Sequence, residues 1–343
     1  MLRERLTAQL LAGPPARDAT AVVERLLAVQ GQDPRGARLA IRARSEGLTA
    51  RDVDRALNQR ALVITWLNRG TLHLVSSEDY PWLQALTAPR LMTSGARRLA
   101  QEGLTADAVE RGMRTIERAL AEEGPQTRIQ LRERLVAAGV RTEGQALLHL
   151  LFAASLRGIA VRGPMVGREH AYVLVREWLP KPGPVDRDRA LEELARRYLA
   201  GHGPAGERDL AKWAGLPLRD ARAGLGAIAS ELIERDDGLL DLARRDVAAA
   251  ELPPPRLLGS FDPVLHGWVS REPMLMDKEP IITLNGVFRP FALVGGRAVA
   301  VWSMRAGEIE LRPFARLTRT DTAALRDDAL AVTAYLAGEP EPA

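Results

Sequence analysis

The sequence Ala61-Leu-Val-Ile-Thr-Trp-Leu-Asn-Arg-Gly-Thr-Leu-His-Leu-Val75 predicts two β-strands joined by a tight turn at Asn68-Arg69-Gly70. Three segments before it have the apolar spacing of helices: residues 20–29, 34–44 and 51–59. Pro34 suits the first position of the second helix, and Thr49 can cap the third. Three helices followed by a hairpin predict a winged helix.

The same order of elements recurs twice further along the chain. Helices are predicted over residues 105–122, 127–138 and 143–156, with strands over 157–162 and 170–175. A third, shorter copy follows the linker Pro180-Lys-Pro-Gly-Pro184, and Asp186 is placed to cap its first helix. Gly124-Pro125 precedes Leu131 by the same spacing that separates Gly203-Pro204 from Leu210. This shared Gly-Pro-x5-Leu motif indicates an internal repeat.

The last quarter of the chain changes character. From Pro253 onward short apolar strands alternate with glycine turns, and Thr320 is placed to cap a final helix. The predicted fold is therefore mainly α with β: three tandem winged-helix units followed by a small C-terminal β-barrel-like domain. The expected boundaries are residues 1–80, 81–180, 181–250 and 251–343.

Composition excludes several classes of protein. The 343 residues are 46% hydrophobic and 27% charged, as in ordinary globular proteins, and no run of eighteen apolar residues predicts a membrane span. The N-terminal residues lack the pattern of a secretory signal, so a cytoplasmic protein is expected. The absence of cysteine excludes disulfides, thiolate nucleophiles and cysteine-ligated zinc. The histidines at 149, 170, 202 and 266 have no metal-ligand spacing, so we expect neither a metal nor a cofactor.

Arginine dominates the basic residues. Only three of the 48 basic residues are lysines, namely Lys181, Lys212 and Lys278. Arginine suits phosphates and base edges, but a GC-rich genome that encodes arginine in place of lysine explains the bias equally well. The formal net charge is only +4. Nucleic-acid binding is therefore permitted by the composition and not required by it.

Two glutamines, Gln30 and Gln32, lie two residues apart at the exit of the first predicted helix. Released from the helix just before a proline, both amides can face one small polar target. Taken alone, Gln-x-Gln is more often a solvated helix end than a site. Asp33 can orient a water beside the glutamines, although capping the helix that begins at Pro34 is its commoner role.

Four segments together resemble one known family. They are Gln30-Gly31-Gln32-Asp33-Pro34, Thr65-Trp-Leu-Asn-Arg-Gly-Thr-Leu-His-Leu-Val75, Leu257-Leu-Gly-Ser-Phe-Asp-Pro-Val-Leu-His-Gly-Trp268 and Asn285-Gly-Val-Phe-Arg-Pro290. This set resembles the AlkZ-like (YcaQ-type) DNA glycosylases over nearly the whole chain. The resemblance implies tandem winged helices, a C-terminal β-barrel and a catalytic Gln-Φ-Gln motif, in which Φ is hydrophobic. This chain departs from the motif by having Gly31 at the middle position.

The resemblance implies that Gln30 and Gln32 are catalytic and that the partner is double-stranded DNA carrying alkylated purines. A purine alkylated at N7 is a cationic leaving group, and its departure makes the sugar oxocarbenium-like, so water must be placed at C1′. Glutamine carbonyl oxygens can accept hydrogen bonds from that water and face the developing positive charge. The Schiff-base route needs a lysine or an N-terminal amine as the nucleophile, and no lysine occurs before position 181. A monofunctional enzyme is therefore expected.

Five residues are candidates for contact with DNA: Arg35, Arg38, Arg69, Thr71 and His73. The arginines that follow Pro34 are spread around a helix, so only some can face DNA. His73 can touch phosphates together with Arg69 and Thr71, or it can lie half-buried in its strand and satisfy a neighbouring carbonyl. The sequence favours the two alternatives equally.

Two other functions are compatible with these patterns. A winged-helix protein of the transcription-regulator type binds DNA without catalysis, and a drug-sequestering protein binds a DNA-damaging compound without touching DNA. Only a glycosylase releases a free base. A monomer is expected, because a tandem array supplies several DNA-binding units in one chain.

Overall fold

The structure is a computed structural model that describes residues 1–167, 169–181, 183–245, 251–275 and 281–338. The α-helices are α1 (Leu2–Ala8), α2 (Ala19–Leu26), α3 (Pro34–Arg42), α4 (Ala50–Asn58), α5 (Tyr80–Gln101), α6 (Ala106–Glu123), α7 (Arg128–Ala137), α8 (Ala146–Leu156), α9 (Val175–Trp178), α10 (Arg187–His202), α11 (Glu207–Ala214), α12 (Leu218–Ala227) and α13 (Arg319–Ala337). The strands are β1 (Val29–Gln30), β2 (Leu62–Leu67), β3 (Thr71–Ser76), β4 (Ala160–Val166), β5 (Glu169–Leu174), β6 (Leu232–Glu234), β7 (Leu240–Leu242), β8 (Arg256–Leu258), β9 (Phe291–Val294), β10 (Arg297–Arg305) and β11 (Glu308–Pro313).

The chain forms a mixed α/β fold that divides into two compact units. The first unit contains residues 1–53 and 191–343, and the second contains residues 54–190. Two helices, α4 and α10, span the sequence boundaries between the units. Within the described ranges, no helix is both long enough and apolar enough to cross a membrane.

The second unit is built around two hairpins that share one antiparallel sheet. Its strands pair in the order β3-β2-β4-β5. In the first hairpin Thr65 lies opposite His73, and Trp66 lies opposite Leu72. Because side chains alternate across a strand, Thr65 and His73 share one face, and Trp66 lies on the other with the leucine-rich core of α6, α7 and α8. The hairpin therefore has an apolar face and a face that carries polar residues.

The longest helix of the second unit, α5, was not predicted from the sequence. It contains Pro89 in its interior, where proline removes a backbone hydrogen bond and costs about 3 kcal/mol, and it also contains Gly95. These residues mask the apolar periodicity on which sequence assignment depends. Tertiary packing offsets the loss, because Leu83 and Leu86 are fully buried.

The C-terminal strands of the first unit form an open antiparallel sheet in the order β11-β10-β9-β8. The residues described contain no closed barrel, so the barrel-like expectation is corrected to an open sheet over this part of the chain. The sheet is covered by α13, whose Leu325, Val332 and Tyr335 are fully buried against it. Thr318 caps this helix, with its Oγ1 accepting from Asp321 N at 3.0 Å, so the cap predicted at Thr320 was two residues late.

The two copies of the Gly-Pro-x5-Leu motif differ at the Gly-Pro bond, which is cis only at Gly203-Pro204, but they share the contacts that follow it. The residue after each Gly-Pro pairs with the second strand of the following hairpin: Gln126 with Tyr172, and Ala205 with Leu240. The next residue caps the following helix, and its backbone N–H donates to the side chain three residues on, Gln130 or Asp209. The leucine that ends each motif is buried. Each copy is therefore three helices and a hairpin joined at the same point.

Candidate active site

The glutamine motif lies between two helices, with Gln30 in the short strand β1 and Gln32 in the bend that follows it. Helix α2 ends at Leu26, three residues earlier than predicted, because Leu27 has a φ of 63°. A positive φ is costly for a side chain such as leucine, but Leu27 is fully buried, so packing holds it there. The chain then continues as β1. Gln30 ends this strand and Gln32 lies in the bend after it, and the bond between their amides shows that the two side chains converge.

The two amides bond to each other. Gln30 Nε2 donates to Gln32 Oε1 across Gly31. Gln30 is 6% exposed, whereas Gln32 is exposed. Among the described residues no donor reaches Gln30 Oε1, which is buried. A carbonyl oxygen has two lone pairs, so Gln32 Oε1 can accept a second hydrogen bond while it is held by Gln30.

Asp33 forms the N-terminal cap of α3. Its Oδ1 accepts from Arg35 N at 3.0 Å, and Pro34 is the first residue of α3. This confirms the capping role that the sequence favoured. The cap fixes the direction in which the chain leaves the glutamine motif.

The four arginines in and after α3 divide into two groups. Arg35 is half-buried with its Cζ 5.9 Å from the centroid of the Trp302 ring, and Arg38 Nη1 donates to Pro34 O at 2.8 Å. The other two form buried ion pairs: Arg42 with Asp328 at 2.8 Å, and Arg44 with Asp262 at 2.7 Å. Of these four arginines, only Arg35 and Arg38 therefore keep partly accessible side chains.

The segment at residues 257–268, which the resemblance singled out, supports the helix that follows the glutamines. Gly259 lies against α3 so closely that a Cβ there would come 2.7 Å from Gly36 Cα, and a Cβ at Gly36 would clash with the carbonyl oxygen of Ser260. Two glycines are thus required where the two backbones touch. Sequence reasoning missed this role, because Gly36 is a single glycine in a helical pattern.

In the second unit the predicted DNA contacts lie on the β2–β3 hairpin. His73 is 3% exposed, and its Nδ1 lies 2.9 Å from Thr71 O, which is the geometry of a ring nitrogen that satisfies a neighbouring carbonyl. Burial, aided by the positive charge of Arg69, lowers the pKa of His73 from 6.5 to about 3. The imidazole is therefore neutral at physiological pH and cannot pair with a phosphate as a cation.

The same hairpin buries several polar atoms that find no partner within the described part of the chain. They are Thr65 Oγ1, Thr71 Oγ1 and both amide atoms of Asn68. Asn68 is 2% exposed and has a φ of 53°, a conformation that asparagine tolerates better than most residues. A buried polar atom without a partner costs about 1–3 kcal/mol, so such a group calls for a functional explanation. The sequence marked Asn68 only as a turn residue.

The candidate residues thus fall into two sets, each gathered in one unit. Gln30, Gln32, Arg35 and Arg38 belong to the first unit, in the segment from β1 to α3. Arg69, Thr71 and His73 belong to the second unit, at the turn and second strand of its first hairpin.

Comparison with known proteins identifies the class. An interstrand DNA cross-link repair glycosylase of Streptomyces sahachiroi is 28% identical over 350 residues, which cover 95% of this chain and 92% of the relative. The solved structure of the Streptomyces sahachiroi DNA glycosylase AlkZ matches with a TM-score of 0.75 and 25% identity, covering 99% of this chain and 96% of the other. The chain is therefore a DNA glycosylase, an enzyme of DNA repair.

The family follows from a third comparison. The sequence model of the DNA glycosylases described as AlkZ-like matches residues 23–335. The chain belongs to this AlkZ-like family, and the resemblance found in the sequence is confirmed.

Proposed function

We propose that this enzyme hydrolyses the N-glycosidic bond of purines alkylated at N7, with water attacking C1′. The observation that carries the proposal is the amide pair: Gln30 holds Gln32 by a hydrogen bond, and Gln30 Oε1 is buried with no donor among the described residues. A water beside these carbonyl oxygens is oriented by acceptors that need no reorganisation during the reaction. Neutral amides are weak bases, so they suit a labile, cationic leaving group.

The two glutamines are proposed to have different roles in the reaction. Gln32 is the exposed member and meets the water and the sugar first. Gln30, which is 6% exposed, holds the Gln32 amide in place and supplies a second acceptor once the lesion displaces the Gln32 side chain. Gly31 lies between them without a side chain that would compete for this space.

The reaction is proposed to stop at an abasic site. Covalent glycosylases form a Schiff base through an amine, and the first lysine of this chain is Lys181. Five residues are proposed to hold the DNA, and of these Arg35, Arg38 and Arg69 are proposed to contact phosphates. Thr71 donates from its hydroxyl, and His73 contributes as a neutral ring that fixes the strand through Thr71 O.

The substrate is proposed to include interstrand crosslinks, since the Streptomyces sahachiroi relative is named for that repair. When the crosslinking agent attacks the major groove, both ends of such a link are N7-alkylated purines. The same hydrolysis of the N-glycosidic bond would therefore release simple and bulky adducts. The enzyme is proposed to act as a monomer in the cytoplasm, on double-stranded DNA.

We also propose that the three repeats of helices and hairpin are winged helices. The proposed domains are residues 1–80, 81–180 and 181–250, followed by the C-terminal sheet domain at 251–343. The support is the element order: each of the hairpins β2–β3, β4–β5 and β6–β7 follows four α-helices, and the last three of these are the helices of the proposed unit.

The test is release of a free base. The full chain is incubated with a duplex that contains N7-methylguanine, and the soluble fraction is chromatographed for the base. A second arm uses a duplex crosslinked through guanine N7 and follows strand separation on a denaturing gel. Release of N7-methylguanine supports the proposal. Tight binding of the same duplex with no release would instead favour a non-catalytic DNA-binding protein.

A further inference from the structure

A groove of about 490 Å³ in the second unit shares only Arg69 with the residues assigned above to catalysis or DNA contact. It is formed by α5, α8 and the turn between β2 and β3. The residues that matter here line it from three elements: Arg69, Gly70, Gly95, Arg98, His149 and Phe152. Its volume is within the range of small-molecule sites, which is about 300–1,000 Å³.

The aromatic ring of Phe152 is seated between two glycines. A Cβ at Gly95 would come 3.1 Å from the ring, and a Cβ at Gly70 would come 3.9 Å from it. Gly95 lies in the middle of α5, where glycine costs about 1 kcal/mol relative to alanine. On its inner side the ring meets Trp66 edge-on, with centroids 5.8 Å apart and planes at 90°. The ring is thus fixed in place, and its half-buried state leaves part of it to the groove.

The charged side chains that line the groove are all positive. Arg69 and Arg98 are among the residues that line it, with the half-buried His149, and no carboxylate is found among the described lining residues. Arg98 is exposed and donates one of its five N–H groups to Gln101 Oε1 at 3.1 Å, within its own helix. That bond orients the guanidinium and leaves most of its donors for a phosphate.

We propose that this groove binds one unpaired nucleotide of the DNA, with the base against Phe152 and a neighbouring phosphate on Arg69 and Arg98. A fixed ring flanked by arginines combines base stacking with backbone attraction, which is how proteins hold single-stranded nucleotides without reading sequence. An acidic or zwitterionic protein segment would not need the flat ring. The proposal rests on the proposed function in taking DNA as the partner, and it adds a site for a nucleotide that has left the helical stack.

The test uses the full chain and two short duplexes, one fully paired and one with a single 2-aminopurine bulge. The wild type should bind the bulged duplex more tightly and quench the 2-aminopurine fluorescence. Phe152→Leu keeps the apolar volume and removes the ring, so it should lose about tenfold in affinity for the bulged duplex and lose the quenching, with paired-duplex affinity unchanged. Phe152→Tyr, which keeps a ring, should behave as the wild type.

Two controls keep the test independent of folding. Phe314, which is 38% exposed on the C-terminal domain, gives the matched variant Phe314→Leu, for which no change is expected. Arg98 is exposed, so Arg98→Gln should fold normally and still weaken bulge binding severalfold.

Equal bulge preference in wild type, Phe152→Leu and Arg98→Gln would overturn the proposal. So would equally tight binding of free 2-aminopurine deoxynucleotide, which would make the groove a site for a free metabolite. Base release from N7-methylguanine duplex by the wild type is measured alongside, so failure of the proposed function is seen separately.

Discussion

Arg44 and Asp262 form a fully buried, two-pronged ion pair, with Nη2 2.7 Å from Oδ1 and Nη1 2.9 Å from Oδ2. Arg44 Nη2 also bonds Gln9 Oε1 at 3.1 Å, and Asp262 Oδ1 accepts from Val264 N at 3.0 Å. Arg44 lies two residues after the end of α3, the helix that follows the glutamine motif, and its Nη1 donates to Ala40 O of that helix at 2.9 Å. The pair therefore anchors that helix to the segment at residues 257–268.

The first prediction concerns this pair. Asp262→Ala leaves the Arg44 charge buried without a counterion and should lower the free energy of unfolding by about 3–5 kcal/mol. The measurement is urea unfolding. The combined variant Arg44→Met, Asp262→Leu should recover most of that loss, because it removes both charges. A loss in the combined variant larger than in Asp262→Ala would contradict this account.

The buried pair also shows that the partners of buried charged residues could not be predicted from the sequence. Arg42 and Arg44 belong to the arginine-rich segment after Pro34, and each forms an ion pair with a carboxylate more than 200 residues away, Asp328 and Asp262 respectively. No local pattern identifies such partners, because periodicity reports only which face of a helix is apolar. The capping role of Asp33, by contrast, was predicted correctly, because the signal is contained within two residues.

The hairpin β2–β3 and the helix α5 show the same difference between local sequence signals and tertiary packing. Hairpin β2–β3 was predicted within one residue of its observed ends, since a turn at Asn68-Arg69-Gly70 and alternating β-formers are both local signals. Helix α5 was missed because its prolines and Gly95 obscure the pattern that packing later stabilises. Gln30 and Gln32 were selected through the resemblance, whereas the hydrogen bond between their amides depends on side-chain conformations that no sequence pattern specifies.

The second prediction concerns the close approach of α3 to residues 259–260. Gly36→Ala places a Cβ against the carbonyl oxygen of Ser260, so the helix must shift, with a cost of about 1–3 kcal/mol and slower base release. Gly226→Ala is the matched control: it is also a helical glycine, but nothing lies within 4 Å of its Cβ position, so stability should be unchanged or slightly raised. Equal effects of the two substitutions on thermal unfolding and rate would rule out this explanation.

The third prediction is a pH dependence of stability. Burial is the largest cause that lowers the pKa of both His73 and His202 from 6.5 to about 3. Between these values the unfolded chain binds more protons than the folded chain, so stability is full above pH 6.5 and is lost as the pH falls toward 3. The free energy of unfolding should therefore already decline between pH 6.5 and 5. His73→Gln should flatten that decline, and an unchanged slope would show that His73 is not held neutral.

The fourth prediction separates the two glutamines. Gln32 is exposed, so Gln32→Glu should fold normally, accept the hydrogen bond from Gln30 Nε2 and retain base release, since its charge faces the oxocarbenium. Gln30 is 6% exposed, so Gln30→Glu buries a carboxylate and should destabilise the protein measurably. Thermal unfolding and base release are measured for both. Equal destabilisation by the two changes would mean that Gln32 is packed and not presented to substrate.

The fifth prediction, on which the account depends most, is the rate of base release after truncation of the glutamines. Under single-turnover conditions with N7-methylguanine duplex, Gln30→Ala and Gln32→Ala should each slow release by roughly a hundredfold, the scale of losing one preorganised polar partner of a transition state. Affinity for the duplex should hardly change, because phosphate contacts supply most of it. Gln59→Ala, at an exposed glutamine on the surface, should leave the rate unchanged. Full excision by the Gln30→Ala, Gln32→Ala double variant, at unchanged thermal stability, would contradict the assignment.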